Sequence, residues 1–324
     1  MSVSNESIGV SGGRAFHRKV PNLVVLGFVV VCILPFALAG SSLELLFRLV
    51  RDDATFSQIP LIPLVSLFLI YEHRKTIFAE VSFDWLLGAA LLVPGLVLLG
   101  VARLDLLQLS STNPQSLLVF AMVLVWLGAF ALFFGKRAFW AACFPLLFLL
   151  FMVPIPQPLL SKIISSLQAG SSNMAAIFFR IAGVPYFRRP GFIFDLPGVS
   201  IQVAEECSGI RSTLALLITT VIASHMFLKS SWRRVALCLA VIPLAVFKNG
   251  LRIATLATLA VYVNPGFLYG NLHYRGGFVF FLIALVPLAF FLFWLQKREN
   301  RGIARAGTLK PQLDPPDRRD AQQS

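Results

Sequence analysis

Nine consecutive residues, Ala204-Glu205-Glu206-Cys207-Ser208-Gly209-Ile210-Arg211-Ser212, place a thiol, two carboxylates and an arginine where an apolar run begins. Ionisable side chains cost about 2.5 to 3.5 kcal/mol each near the centre of a bilayer and less toward its edges, so such a group reads as a functional site. A thiol attacks carbonyl carbon as its thiolate, and a neighbouring imidazole or cation lowers its pKa from about 8.5. Glu205 and Glu206 act the other way, because one negative charge disfavours a second beside it. Positive partners are therefore required. The chain offers Arg211, four residues after Cys207 on the same helical face, Arg252 within Asn249-Gly250-Leu251-Arg252-Ile253, and His273. His273 suits the base that later acts as acid, and Arg252 suits a donor to an oxyanion or a clamp on a substrate carbonyl. Arg211 competes with Arg252 for that role, and spacing does not choose between them. Gly209 admits close backbone approach, and the first turn of the following helix offers N–H groups that favour a thiolate.

Each residue also has a plainer reading. Cys207 alone fits a small buried hydrophobe, as do Cys32, Cys143 and Cys238 in their apolar runs. Arg252 fits an anchor at the membrane interface, His273 with Tyr274 fits an interfacial aromatic belt, and Glu205 with Arg211 fits a simple ion pair. What separates the readings is whether cysteine, arginine and histidine fall on one face of the membrane. The sequence has no Cys-x-x-Cys, no His-Glu-x-x-His and no His/Asp cluster, so no metal or other cofactor is expected.

The elements that must position these groups are membrane helices. Hydrophobic residues make up 57% of the 324 residues and charged ones 13%, which takes the chain out of the soluble globular range. At about 20 apolar residues per crossing, an all-α polytopic fold of about eight helices is expected, near 20–39, 55–71, 85–103, 116–134, 138–155, 208–228, 235–263 and 276–296. Pro60 and Pro63 interrupt the second. The net charge of +13 does not indicate nucleic acid, since no soluble domain is left to present a basic face. It follows topology instead. Threaded in order, Arg14/Arg18/Lys19, Arg74/Lys75, Lys136/Arg137, Lys229/Arg233/Arg234 and the basic tail share one face, which makes that face cytoplasmic and puts both termini there. Arg252 then lies roughly 27 Å along its span from Arg234, beside Cys207 and His273 at the external boundary.

Five regions result: a cytoplasmic segment 1–19, transmembrane helices one to five over 20–155, an external interfacial segment 156–206, helices six to eight over 207–296 carrying the site, and a disordered cytoplasmic tail 297–324. The external segment opens with a helix suited to an interface and continues with a short hairpin, 191–196 and 199–203 about a Pro197-Gly198 turn. That hairpin reads as a cap over the helix ends or as an edge that grips an extended peptide. Ala37-Leu38-Ala39 imitates a signal-peptidase site, but its apolar stretch exceeds the ~7 to 15 residues of a signal core and reads as an uncleaved first span.

At Ala204 to Ser212, at Asn249 to Ile253, at His273 followed by Gly277, and at Val153-Pro154-Ile155-Pro156, the sequence resembles the exosortase/archaeosortase family of membrane cysteine enzymes. The resemblance covers roughly 150–285. It implies a sorting enzyme of the cytoplasmic (inner) membrane, its active site on the external or periplasmic face. Such an enzyme cuts exported proteins ahead of a C-terminal tail composed of a short motif, a transmembrane helix and a basic cluster, then passes the product to an acceptor. Carried over by motif, Cys207 is the nucleophile, Arg252 the arginine and His273 the histidine, with Glu205, Gly209, Arg211 and Asn249 in support. Glu206 departs from the family pattern, where a small residue is expected. The partners implied are those substrates, an unidentified acceptor and membrane lipids. A different class is also compatible with these cations, a transporter or flippase for an anionic envelope lipid or polysaccharide intermediate, in which Arg252, Arg211 and His273 bind phosphate or carboxylate.

Overall fold

The computed structural model describes residues 21–40, 44, 51, 56, 58–104, 113–268 and 277–308, with only the backbone of 38–39, 113, 206–207 and 302–308. The expected basic N-terminal segment, His273 with Tyr274, and the tail beyond 308 lie outside the described residues. The chain divides into two compact units, 1–157 and 158–324.

The first unit is helical: α1 (Asn22–Ala39), α2 (Leu61–Glu72), α3 (Arg74–Ile77), α4 (Trp85–Arg103), α5 (Asn113–Ala141) and α6 (Cys143–Phe148), followed by a 3-10 turn at Leu149–Met152. Asp84 begins α4 by accepting the Leu87 N–H at 3.0 Å. Lipid offers apolar side chains no gain over one another, so helices associate where small residues let backbones approach. That happens here between α4 and α5. A Cβ on Gly88 would fall 2.6 Å from the Leu132 Cβ, and one on Gly128 would fall 2.5 Å from the Leu92 N. At Gly135 the backbone leaves helical geometry (φ 83°, ψ 172°), and a side chain there would run into the Ser82 carbonyl, so α5 kinks where the sequence ends its fourth span.

The second unit opens with α7 (Gln157–Ile181) and continues through a three-stranded antiparallel meander, β1 (Phe187–Arg189), β2 (Ile193–Leu196) and β3 (Val199–Gln202). The register pairs Phe194 with Arg188 on one side and Ile201 on the other. Strands two and three are the expected hairpin, and β1 is an addition to it. On the sheet's inner side Phe194 and Leu196 meet Ala175 and Phe179 of α7, with Phe194 edge-on to Phe179 at 5.5 Å. On its outer side Asp195 accepts from the Ser200 hydroxyl at 2.7 Å and pairs with Arg189 at 2.6 Å. Those two hydrogen bonds and the guanidinium's charge hold the Asp195 carboxyl below its ordinary pKa.

Three helices complete the unit: α8 (Ile210–Phe227), α9 (Ser231–Tyr262) and α10 (Gly277–Thr308). They share an apolar core of Leu216, Leu237, Val241, Ala284 and Leu288. Glu299 of α10 is 5% exposed and accepts the Lys229 and Ser230 N–H groups at 2.9 and 2.7 Å while pairing with Arg233 at 3.0 Å. A carboxylate thus satisfies N–H groups at the start of α9, where the helix dipole favours negative charge. The helix α10 runs to Thr308, past residue 297, where composition alone begins a disordered tail.

Among the described residues five helices, within α4, α5, α8, α9 and α10, are long and apolar enough to cross a bilayer, or six if the broken pair Cys143–Met152 and Gln157–Ile181 is one crossing. The expected eight are thus not all full-length helices. α1 and α2 are apolar but shorter, and the 138–155 run is broken by the end of α5 at Ala141 and a tightened 3-10 turn after α6. The protein is an all-α, multi-pass membrane protein.

Candidate functional site

The site is assembled from three elements of the second unit. Gln168, buried on α7, donates from Nε2 to the Val203 carbonyl at 2.9 Å and so fixes the chain where it leaves the sheet. The next residues, Glu205–Ser208, form one 3-10 turn that carries the Cys207 backbone, and Gly209 ends it in the left-handed region (φ 79°, ψ 14°). Gly209 is at the same time the residue before α8. Only glycine adopts this conformation without a steric penalty of about 1 kcal/mol or more. Its carbonyl accepts the Thr213 N–H at 2.9 Å, the Thr213 hydroxyl at 2.8 Å and the Ser212 hydroxyl at 3.0 Å, so the first turn of α8 is tied to it three times.

Asn249 of α9 lies directly against that glycine, since a Cβ on Gly209 would fall 2.9 Å from the Asn249 Cγ and Oδ1. The Asn249 Nδ2 donates to the Ser171 Oγ of α7 at 3.1 Å, with both residues buried. Gly250 in turn lets α9 approach α7, its missing Cβ lying 2.6 Å from the Met174 Cβ. The two sequence blocks that bear Cys207 and Arg252 are therefore in contact, through Gly209 and Asn249.

Arg252 sits one turn beyond Asn249, half-buried, with its Nε shielded from solvent. Arg211 is exposed at the start of α8, and Glu205 is exposed on the 3-10 turn. His273 is outside the described residues, as is the side chain of Cys207. Sequence reasoning passed over Lys248, which is 3% exposed on α9 and donates from Nζ to the Ser212 Oγ. Its signal was slight, a cation in an apolar helix that already holds Arg252. Gln168 and Ser171 had a fainter one, as polar residues interleaved with apolar ones on α7.

Compared with known proteins, the chain matches the family model described as Transmembrane exosortase (Exosortase_EpsH) over residues 50–298. The match spans most of the chain and includes every element of the site, and the protein belongs to the transmembrane exosortase family. No curated protein and no solved structure matches the chain.

Proposed function

We propose that this chain is a membrane-embedded cysteine protease/transpeptidase that cleaves C-terminal sorting tails of exported proteins at the external face of the cytoplasmic membrane. On this reading the five long apolar helices, the two shorter ones and the broken pair each count as a crossing, and both termini lie inside. The observation that carries the reading is the contact between Gly209 and Asn249, which joins the cysteine block to the arginine block in a member of this family.

The chemistry follows from the residue types. The Cys207 thiol gives its proton to His273, and the thiolate attacks the carbonyl carbon of the scissile peptide. Arg252 donates hydrogen bonds to the oxyanion that forms, and the shielding of its Nε from solvent supports it over the exposed Arg211. As the C–N bond breaks, His273 returns the proton to the departing amine, and the substrate is left as a thioester on Cys207. An acceptor amine or water then attacks the thioester carbonyl, loses a proton to His273 and expels the thiolate. A site at the outer boundary suits a substrate whose own tail helix spans the same bilayer and whose basic cluster stays inside.

The test is intact mass spectrometry of membrane and secreted proteins from cells carrying the wild-type chain, Cys207→Ala or Arg252→Ala. Hydrophobic C-terminal tails retained in both variants are the expected result. Tails processed normally in Cys207→Ala, alongside a defect in Arg252→Ala, would sink the nucleophile assignment and leave the transport of an anionic envelope intermediate as the better reading.

A further inference from the structure

Lys248 is an ammonium placed inside an apolar helix bundle, and a buried ammonium costs several kcal/mol unless something charged or polar answers it. Its Nζ donates to the Ser212 Oγ, and that hydroxyl donates to the Gly209 carbonyl at 3.0 Å. One serine thus joins the lysine to the residue two places after Cys207. Asn249, next to Lys248 in the chain, packs on the same glycine. Arg252, one turn further along α9, is close enough to act on Lys248 electrostatically. For packing alone, a leucine or methionine would fill this position without the cost of burying a charge.

Among the described residues the charges around it are few. On α9 there is Arg252; on the first turn of α8 there is Arg211, exposed; on the 3-10 turn the sequence has Glu205 and Glu206. The neighbouring stretches of β3 and of the turn Pro265–Leu268 carry no charged residue, α7 carries Lys162 and Arg180 toward its two ends, and α10 has none before Lys297. Lys248 thus reaches the start of α8, whose N-terminal dipole has the same sign, and Arg252 adds a second positive charge one turn further along α9. The group that such a field serves is an anion at the 3-10 turn.

We propose that Lys248 is a positioning residue of the site, which fixes the first turn of α8 through Ser212 and, with Arg252, supplies the positive field that keeps Cys207 ionised against Glu205 and Glu206. This rests on Cys207 being the nucleophile. The sign is simple: removing a nearby cation raises a thiol's pKa, and a rise of about one unit lowers the thiolate fraction at neutral pH about tenfold.

The experiment is iodoacetamide alkylation of the full chain in detergent micelles from about pH 5.5 to 10, read by mass spectrometry on the peptide containing Cys207, so that Cys32, Cys143 and Cys238 do not interfere. The wild-type midpoint is expected below the ordinary thiol value of about 8.5. Lys248→Met should raise the midpoint by about one unit and slow alkylation at pH 7 about tenfold, Lys248→Arg should restore it, and Ser212→Ala should raise it by part of that amount. A Lys248→Met profile superimposed on wild type, or a Lys248→Arg profile displaced as far as Lys248→Met, overturns the proposal. Should Lys248→Met fail to fold, Ser212→Ala decides, and a wild-type profile there overturns it equally. Loss of tail processing in Cys207→Ala with an unmoved Lys248→Met profile removes only the role of Lys248. Normal processing in Cys207→Ala removes the reading beneath it.

Discussion

Gly209→Ala is the sharpest probe of how the site is held. Two costs add at this position. The backbone is left-handed at φ 79°, which charges an alanine about 1 to 2 kcal/mol. The new methyl would also lie 2.9 Å from the Asn249 Cγ and Oδ1. Asn249 must then move and release its 3.1 Å hydrogen bond to Ser171, leaving buried polar atoms unanswered at a cost of about 1 to 3 kcal/mol. The total is about 2 to 5 kcal/mol. Gly198→Ala provides the control, because Gly198 has the same kind of backbone (φ 75°) and nothing within 4 Å of its missing Cβ. It should cost about 1 to 2 kcal/mol. The assay is unfolding of the full chain in mild-detergent micelles titrated with a denaturing detergent. In an Asn249→Ala background the Gly209→Ala penalty should fall by about 1 kcal/mol or more, since the atoms it strikes are gone and only the residue 249 Cβ at 3.4 Å remains. If Gly209→Ala costs no more than Gly198→Ala, or costs the same with and without the asparagine side chain, the contact between the two sequence blocks is not what holds them.

Other perturbations test the supports around the site. Glu299→Gln should destabilise the chain by about 1 to 3 kcal/mol in the same assay, because it weakens charge-assisted hydrogen bonds to two N–H groups and to Arg233. Gln168→Ala should cost about 1 to 3 kcal/mol by leaving the buried Val203 carbonyl unanswered, and hydrogen exchange should quicken selectively from 203 to 209. Asp195 has a depressed carboxyl, so its contribution to the sheet is full above the unfolded value of about 3.9 and is lost as pH falls through the lower folded one. Protection factors across β2 and β3, corrected for the intrinsic exchange rate, should accordingly fall below about pH 4 in the wild type, whereas Asp195→Asn should show weaker protection at neutral pH and no acid step.

The sequence displays its membrane helices because apolar residues must run together to cross lipid, and α4, α8 and α9 stand close to where hydropathy puts them. Hydropathy is blind to the breaks. The run from 138 to 155 is apolar throughout, yet α5 ends within it at Ala141 and the chain tightens into a 3-10 turn at Leu149–Met152, and nothing in apolarity distinguishes a continuous helix from these pieces. The hairpin was legible because Pro197-Gly198 is a turn signal between alternating residues, whereas β1 was hidden in Phe187-Arg188-Arg189, whose side chains are all exposed and which reads as a basic loop between prolines. Within the site, Cys207, Gly209, Asn249 and Arg252 stood out by type. Lys248 did not, because its meaning depends on Ser212, thirty-six residues away, which only packing brings to it.

The carboxylate of Glu299 also sets an order of events during synthesis. It binds the Lys229 and Ser230 amides from 70 and 69 residues further along the chain, so at about 5 to 20 residues per second the α8 to α9 turn waits roughly 4 to 14 s for its partner to be made. Until then the helix pair that carries both sequence blocks lacks its anchor at the end away from Gly209. A ribosome that stops before residue 299 therefore leaves every named chemical group except the lock, and a nascent chain acquires its finished geometry only once the last helix has been delivered.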